Sequence, residues 1–119
     1  MAAPQQYNWY KIAESAEDFF WQENRLCEIQ VKGKTICVAR NGDRVFACAH
    51  KCPHAGGPMA DGFVDALGNI VCPLHRYRFS LQNGRNVSGE GYYLKTYPVE
   101  MREDGVYIGL EESRLFGLF

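Results

Sequence analysis

Turn signals cut this chain into runs too short for a long helix, and that punctuation limits the fold more than any other feature. Between Lys32-Gly33, Asn41-Gly42, Asn83-Gly84 and Glu103-Asp104-Gly105 lie short stretches rich in β-branched and aromatic residues, the pattern of a small antiparallel β domain. Residues 26–31 alternate, with Cys27, Ile29 and Val31 on one face and Glu28 and Gln30 on the other, as a half-buried strand does. Lys32-Gly33-Lys34 turns this run into 35–40. Asn41 and Gly42 both tolerate the positive φ of a type I′ turn, so they join 35–40 to 44–49 as a hairpin. Further strands are expected at 69–72 and at 77–82, where Tyr77, Phe79 and Leu81 share a face. A last hairpin pairs 93–102 with 106–110, and Pro98 marks its strand as an edge. Ser15-Ala16-Glu17-Asp18 has the form of a capping box and can open a helical turn, although Phe19, Phe20 and Trp21 behind it suit a strand entrance almost as well.

Length and charge narrow the function. A chain of 119 residues with 46% hydrophobic side chains makes one all-β domain across 1–119. It has no room for a dinucleotide-binding unit beside a metal site, so any redox chemistry must exchange electrons with another molecule. Thirteen basic against 14 acidic residues, a net charge of −1, argue against a nucleic-acid partner. No apolar run approaches the roughly 18 residues that span a bilayer, and Met1 to Tyr7 lacks the basic and apolar regions of an export signal. The expected compartment is the cytoplasm, with no membrane partner. Five cysteines, at 27, 37, 48, 52 and 72, are an odd and unevenly spaced set for a disulfide framework. Clustered cysteines in a reducing compartment point to a metal instead.

The chemistry lies in Cys52-Pro53-His54 and Cys72-Pro73-Leu74-His75, with 17 residues between His54 and Cys72. Each segment offers one sulfur and one imidazole nitrogen. Thiolates hold ferric iron tightly, and neutral imidazoles leave a second iron easier to reduce. Cys-x-His is tighter than the Cys-x₂₋₄-Cys knuckle of zinc fingers, although a structural zinc site remains a reading of the same four residues. His50 and Cys48, just upstream, are not needed to complete the set. Cys27, Cys37 and Cys48 fall in strands, where free cysteine behaves as a small core hydrophobe.

These residues resemble the signature of the Rieske-type [2Fe–2S] family, Cys-x-His followed by Cys-x-x-His. The resemblance extends to His54-Ala55-Gly56-Gly57-Pro58-Met59, to Cys72-Pro73-Leu74-His75-Arg76-Tyr77-Arg78-Phe79 and to Asn83-Gly84. Trp9-Tyr10-Lys11-Ile12 and Lys95-Thr96-Tyr97-Pro98-Val99 are similar to the family's first and late strands. The likeness implies an antiparallel β-sandwich with a loop-built cluster-binding subdomain at about residues 50–80. It implies that Cys52 and Cys72 hold one iron of a [2Fe–2S] cluster and His54 and His75 the other.

By the same resemblance the chain is a soluble ferredoxin without catalytic activity of its own, carrying single electrons from a reductase to a terminal oxygenase. The small subunit of an assimilatory nitrite reductase, passing electrons to a terminal reductase, is the alternative; a non-redox module with a zinc-stabilised tip is a third. The family's respiratory branch braces its loops with a disulfide at the positions held here by Gly57 and Leu74. It also places a serine and a tyrosine, both donors to cluster sulfur, where Tyr77 and Phe79 stand here. Fewer donors leave the reduced cluster less stabilised and its potential low. Lys51, Arg76 and Arg78 flank the loops, either as a basic rim for an acidic partner or as solvated charges. The apolar tail 115–119 is expected to fold back on the domain.

Overall fold

The apolar run Ile36 to Ala39 is buried without interruption, and this decides the architecture: a strand buried on both faces must have a layer packed on each. The computed structural model describes residues 6–54, 56–89 and 91–111; the apolar tail named above lies outside them. Among the described residues there are ten strands, two single turns of 3₁₀ helix and no α-helix. The strands are β1 (Tyr7–Ala13), β2 (Leu26–Val31), β3 (Lys34–Asn41), β4 (Arg44–Ala49), β5 (Phe63–Val64), β6 (Asn69–Val71), β7 (Arg78–Ser80), β8 (Thr96–Tyr97), β9 (Val99–Arg102) and β10 (Gly105–Glu111).

They form three antiparallel sheets, β2-β3-β4-β8, β1-β10-β9 and β5-β6-β7. The four-stranded sheet is the middle layer. On one face Ile36, Val38, Val45 and Ala47 pack against Val106, Ile108 and Leu110 of β10. On the other, Leu26, Cys37, Ala39 and Cys48 pack against Met59, Ile70, Phe79 and Leu94 of the smaller unit. Each large side chain so buried contributes roughly 1.5–3 kcal/mol. The all-β fold and its antiparallel sheets are as the sequence implied.

Two local expectations are corrected, and the alternatives at Ser15 are decided. Asn41 belongs to β3 and pairs with Arg44, so the turn falls on Gly42-Asp43. Only Gly42 of these two has positive φ, 64°, as in a II′ turn. The I′ signature, positive φ at both central residues, occurs one hairpin earlier, at Lys32 (51°) and Gly33 (81°). The long strand expected at 93–102 is two short edge strands in different sheets: β8 pairs with β4, and β9 with β10. Pro98 stands at the crossing, where it has no N–H to offer either ladder; its carbonyl still accepts the Gly109 N–H at 2.9 Å. At Ser15 the helical turn prevails, over Ala16–Asp18, but the serine Oγ meets the Asp18 carboxylate at 3.2 Å rather than capping the backbone.

Side-chain amides tie the small unit to the middle sheet. Asn24 Nδ2 donates to the carbonyls of Ala60 (2.8 Å) and Gly62 (2.9 Å), and Gln22 Nε2 also donates to Ala60 (2.9 Å).

Candidate metal centre

Two loops with one backbone design build the site. In the first, the Cys52 N–H donates to the Gly57 carbonyl and the Gly56 N–H to the Cys52 carbonyl, both at 2.8 Å. In the second, the Cys72 N–H donates to the Tyr77 carbonyl (2.9 Å) and the Arg76 N–H to the Cys72 carbonyl (3.1 Å). The first loop is closed by a backbone bridge between Lys51 and Pro58, the second by the Val71–Arg78 pair of β6 and β7. Such closures place each cysteine at the loop base and each histidine toward the apex.

The four candidate ligands therefore come as two pairs. Cys52 and Cys72 are buried, 2% and 1% exposed, and their thiols hydrogen-bond each other. Burial pushes the Cys72 thiol up; the backbone N–H groups of Leu74 and His75 favour its thiolate, while the Cys52 thiol opposes it. His54 and His75 turn their Nδ1 atoms toward each other at 3.2 Å, with ring centroids 4.8 Å apart. Among the described residues no three His, Cys, Asp or Glu side chains converge on one point. Two pairs of donors suit a centre with two metal ions better than one tetrahedral ion, which wants all four ligands together.

The space between the loops fits the same reading. A Cβ at Gly57 would lie 2.8 Å from the Leu74 side chain and 3.6 Å from the Cys72 sulfur. Leucine 74 thus closes the loops by leaning into the space that only glycine leaves beside the sulfur. These are the two positions where the resemblance puts a disulfide elsewhere in the family.

The neighbours expected from sequence divide. Cys48 sits across from Cys37 in the β3–β4 ladder; the hydrogen bond its thiol donates to Cys37, together with complete burial, holds that thiol well above the usual value. Burial, with Cys37 adding to it, pushes Cys27 up to about 11. All three are core thiols. His50 lends its backbone, its carbonyl accepting the Met59 N–H at 2.8 Å. Phe79 is fully buried in the core, as expected. Tyr77 touches that core too, but its ring also lies 4.2 Å from the His54 ring, at the site rather than simply beneath it.

Arg78 is drawn away from the rim by Asp65, whose Oδ2 it meets at 3.0 Å. Burial opposes ionisation of Asp65, but the N–H of Asn69, its side-chain amide, the N–H of Leu67 and Arg78 outweigh it and hold the carboxyl below the usual range. Tyr92, unnoticed in the sequence, lies 5.2 Å from His54 and 5.9 Å from Tyr77. It arrives on a third loop that runs beside β7, held by the Val87 N–H to the Arg78 carbonyl (2.9 Å) and the Arg78 N–H to Ser88 Oγ (3.0 Å). The signal was there in Gly89 to Tyr93, where two tyrosines follow glycines instead of alternating along a strand.

A β scaffold that presents two buried sulfurs and two surface imidazoles on paired loops is that of a mixed-ligand metalloprotein. The chain belongs to the Rieske [2Fe–2S] domain family, whose model matches residues 8–98, and its cofactor is a [2Fe–2S] cluster. The ferredoxin component of a naphthalene 1,2-dioxygenase system from Pseudomonas aeruginosa is 32% identical over 89 residues, 74% of this chain and 85% of that protein. A structure described as an NADH-dependent nitrite reductase small subunit from Mycobacterium tuberculosis matches with a TM-score of 0.76 at 18% identity, over 91% of this chain and 99% of that one. A chain in the complex of reduced oxygenase and oxidized ferredoxin in carbazole 1,9a-dioxygenase matches with a TM-score of 0.72 at 25% identity, over 88% of this chain and 95% of that one.

Proposed function

We propose that this chain is a ferredoxin of an oxygenase system: one domain that accepts single electrons from a reductase and delivers them to a terminal oxygenase. The observation that carries the reading is the pairing of donors, two buried sulfurs and two surface imidazoles, in a chain of this family. The bound cluster supplies a one-electron couple. Cys52 and Cys72 would hold one iron at the base of the loops, and His54 and His75 would hold the other. Phe79, Met59, Leu81 and Leu94 keep water from the sulfur side. The dithiol is deprotonated when metal binds, and the Leu74 and His75 N–H groups stabilise the resulting charge on Cys72.

With Phe79 buried in the core, at least one hydroxyl donor of the respiratory branch is missing, which supports a potential near the lower end of the Rieske range, roughly −150 mV. The site of action is the cytoplasm, whose reducing conditions keep Cys27, Cys37 and Cys48 as free thiols; among the described residues no helix is long and apolar enough to cross a membrane. The likeness to the nitrite reductase subunit, at 18% identity, concerns the fold.

Metal and sulfide analysis of anaerobically purified protein tests the cofactor, with about two of each per chain expected. His54→Cys or His75→Cys changes the visible spectrum and His50→Ala does not; stoichiometric zinc without iron contradicts the reading. Electron delivery to an oxygenase component, and none to a nitrite reductase, is the expected partner outcome.

A further inference from the structure

Where β8 ends, the middle sheet opens. β8 pairs with β4 only at Ala47–Tyr97 and Cys48–Thr96, and Pro98 then takes the chain to the other sheet, so Arg44, Val45 and Phe46 have no strand beside them on that edge. The gap is a cavity of about 560 Å³ to which all three sheets contribute, with the rings of Phe46, Tyr97 and Tyr7, the buried Leu81 and the Gln82 amide in its lining. Its size falls within the range of small-molecule sites, roughly 300–1,000 Å³.

Arg44 is the one charged residue that lines it among the described residues. Its guanidinium lies 5.1 Å from the centre of the Phe46 ring and, among the described residues, has neither an ion pair nor a hydrogen bond. Lys95, over the Tyr97 ring at 5.7 Å, is paired with Glu111. Two other concavities show the contrast. The one beside Phe20 carries the carboxylates of Glu28 and Asp61, and in the one beside Glu17 the cations are matched, Arg40 by Glu17 and Arg102 by Glu100. An unmatched cation among aromatic walls is thus particular to the first.

We propose that this cavity binds a small planar aromatic carboxylate, with the Arg44 guanidinium on the carboxylate and the rings of Phe46, Tyr97 and Tyr7 around the aromatic body. The guanidinium fork matches a carboxylate with two parallel hydrogen bonds, and stacking on Phe46 holds the fork ready. A bare inorganic anion leaves the aromatic walls unused, and a neutral arene leaves the cation unmatched. The single positive charge suits one carboxylate, whereas a phosphate dianion brings a second charge with no partner. None of the lining residues is a candidate metal ligand, so the inference stands apart from the ferredoxin reading.

Equilibrium dialysis of the holoprotein against three probes of one shape tests it: 1-naphthoate, 1-naphthamide and 1-naphthylmethylammonium. Naphthoate should bind saturably, at about one per chain, at least tenfold more tightly than the neutral amide, and the cation should not be retained. Arg44→Gln should weaken naphthoate about tenfold and leave the amide unchanged. Arg44→Lys should recover part of the loss, because it keeps the charge without the fork. Phe46→Leu should weaken naphthoate and naphthamide alike, and Arg102→Gln, at the matched cation of another concavity, should change nothing. Naphthoate held no better than the amide, an affinity unmoved by Arg44→Gln, or an equal loss in Arg102→Gln overturns the inference, as does retention that never saturates and is shared by all three probes.

Discussion

The loops 52–57 and 72–77 use one backbone for two tasks. In both, the cysteine N–H reaches the carbonyl five residues on, its carbonyl takes the N–H four residues on, and that fourth residue has positive φ. They differ in what the backbone carries. The first holds its imidazole two residues after the cysteine and puts Gly56 at the strained position; the second holds it three residues after and puts Arg76 there. The first loop is closed by a single bridge, Lys51 to Pro58, while the second is the turn of a β hairpin that Asp65 fastens from behind. The difference teaches that one shared backbone can present the candidate ligand side chains, while the position of the histidine, the residue at positive φ and the anchoring of the base are free to differ. It also explains why the second loop can bear strain: its base is anchored more firmly.

The anchor offers the largest effect. Asp65→Ala removes acceptors from two N–H groups, an amide and Arg78, and should lower stability by about 2–3 kcal/mol in denaturant titration. Because the folded state lowers the Asp65 pKa, its stabilisation is complete above the unfolded carboxylate value near 3.9 and is lost as pH falls through the lower folded value. Asp65→Asn should therefore blunt the acid limb of the pH–stability profile; an unchanged limb contradicts the assigned role.

The interloop contact comes next. Gly57→Ala sets a methyl 2.8 Å from Leu74, an overpacking that should cost about 1–3 kcal/mol. Leu74→Ala in the same chain should relieve most of it, so the double-mutant cycle shows coupling; strict additivity would mean the loops do not meet there. The strained position gives a smaller and reciprocal pair. Gly56→Ala, whose methyl meets nothing within 4 Å, should destabilise by about 1 kcal/mol from backbone alone. Arg76→Gly should stabilise by less, since glycine also frees the unfolded chain. Smallest in energy is Tyr92→Ala, which should hardly change stability yet raise the reactivity of His54 toward diethylpyrocarbonate, short of that of the exposed His75 because the nearer Tyr77 ring stays in place. Equal reactivity already in the native protein would erase the asymmetry.

Much of this was legible from sequence where local chemistry decides. The ligand spacing and the strands 26–31 and 44–49 were readable because alternation, turn residues and donor type act over a few residues. The hairpin at Asn41 was found but slipped by one residue, since Gly42 alone supplies the positive φ. What stayed hidden depends on distance. Pro98 marks a change of sheet, which follows from β4 and β10 lying on opposite sides of it. Arg78 looked like a rim charge until the fold put Asp65, 13 residues away, against it. Tyr92 reaches His54 only because the third loop runs beside β7, and no periodicity announces that.

Mössbauer spectroscopy of the reduced protein, enriched in iron-57, tests the central claim most directly, because it reads the two metal sites separately. If Cys52 and Cys72 hold one iron and His54 and His75 the other, two unequal subsites appear in equal amounts, one ferric with sulfur ligation and one ferrous with nitrogen and sulfur, and His75→Cys alters the ferrous subsite alone. Two equivalent irons, a single iron site, or a subsite pattern unmoved by His75→Cys would contradict it.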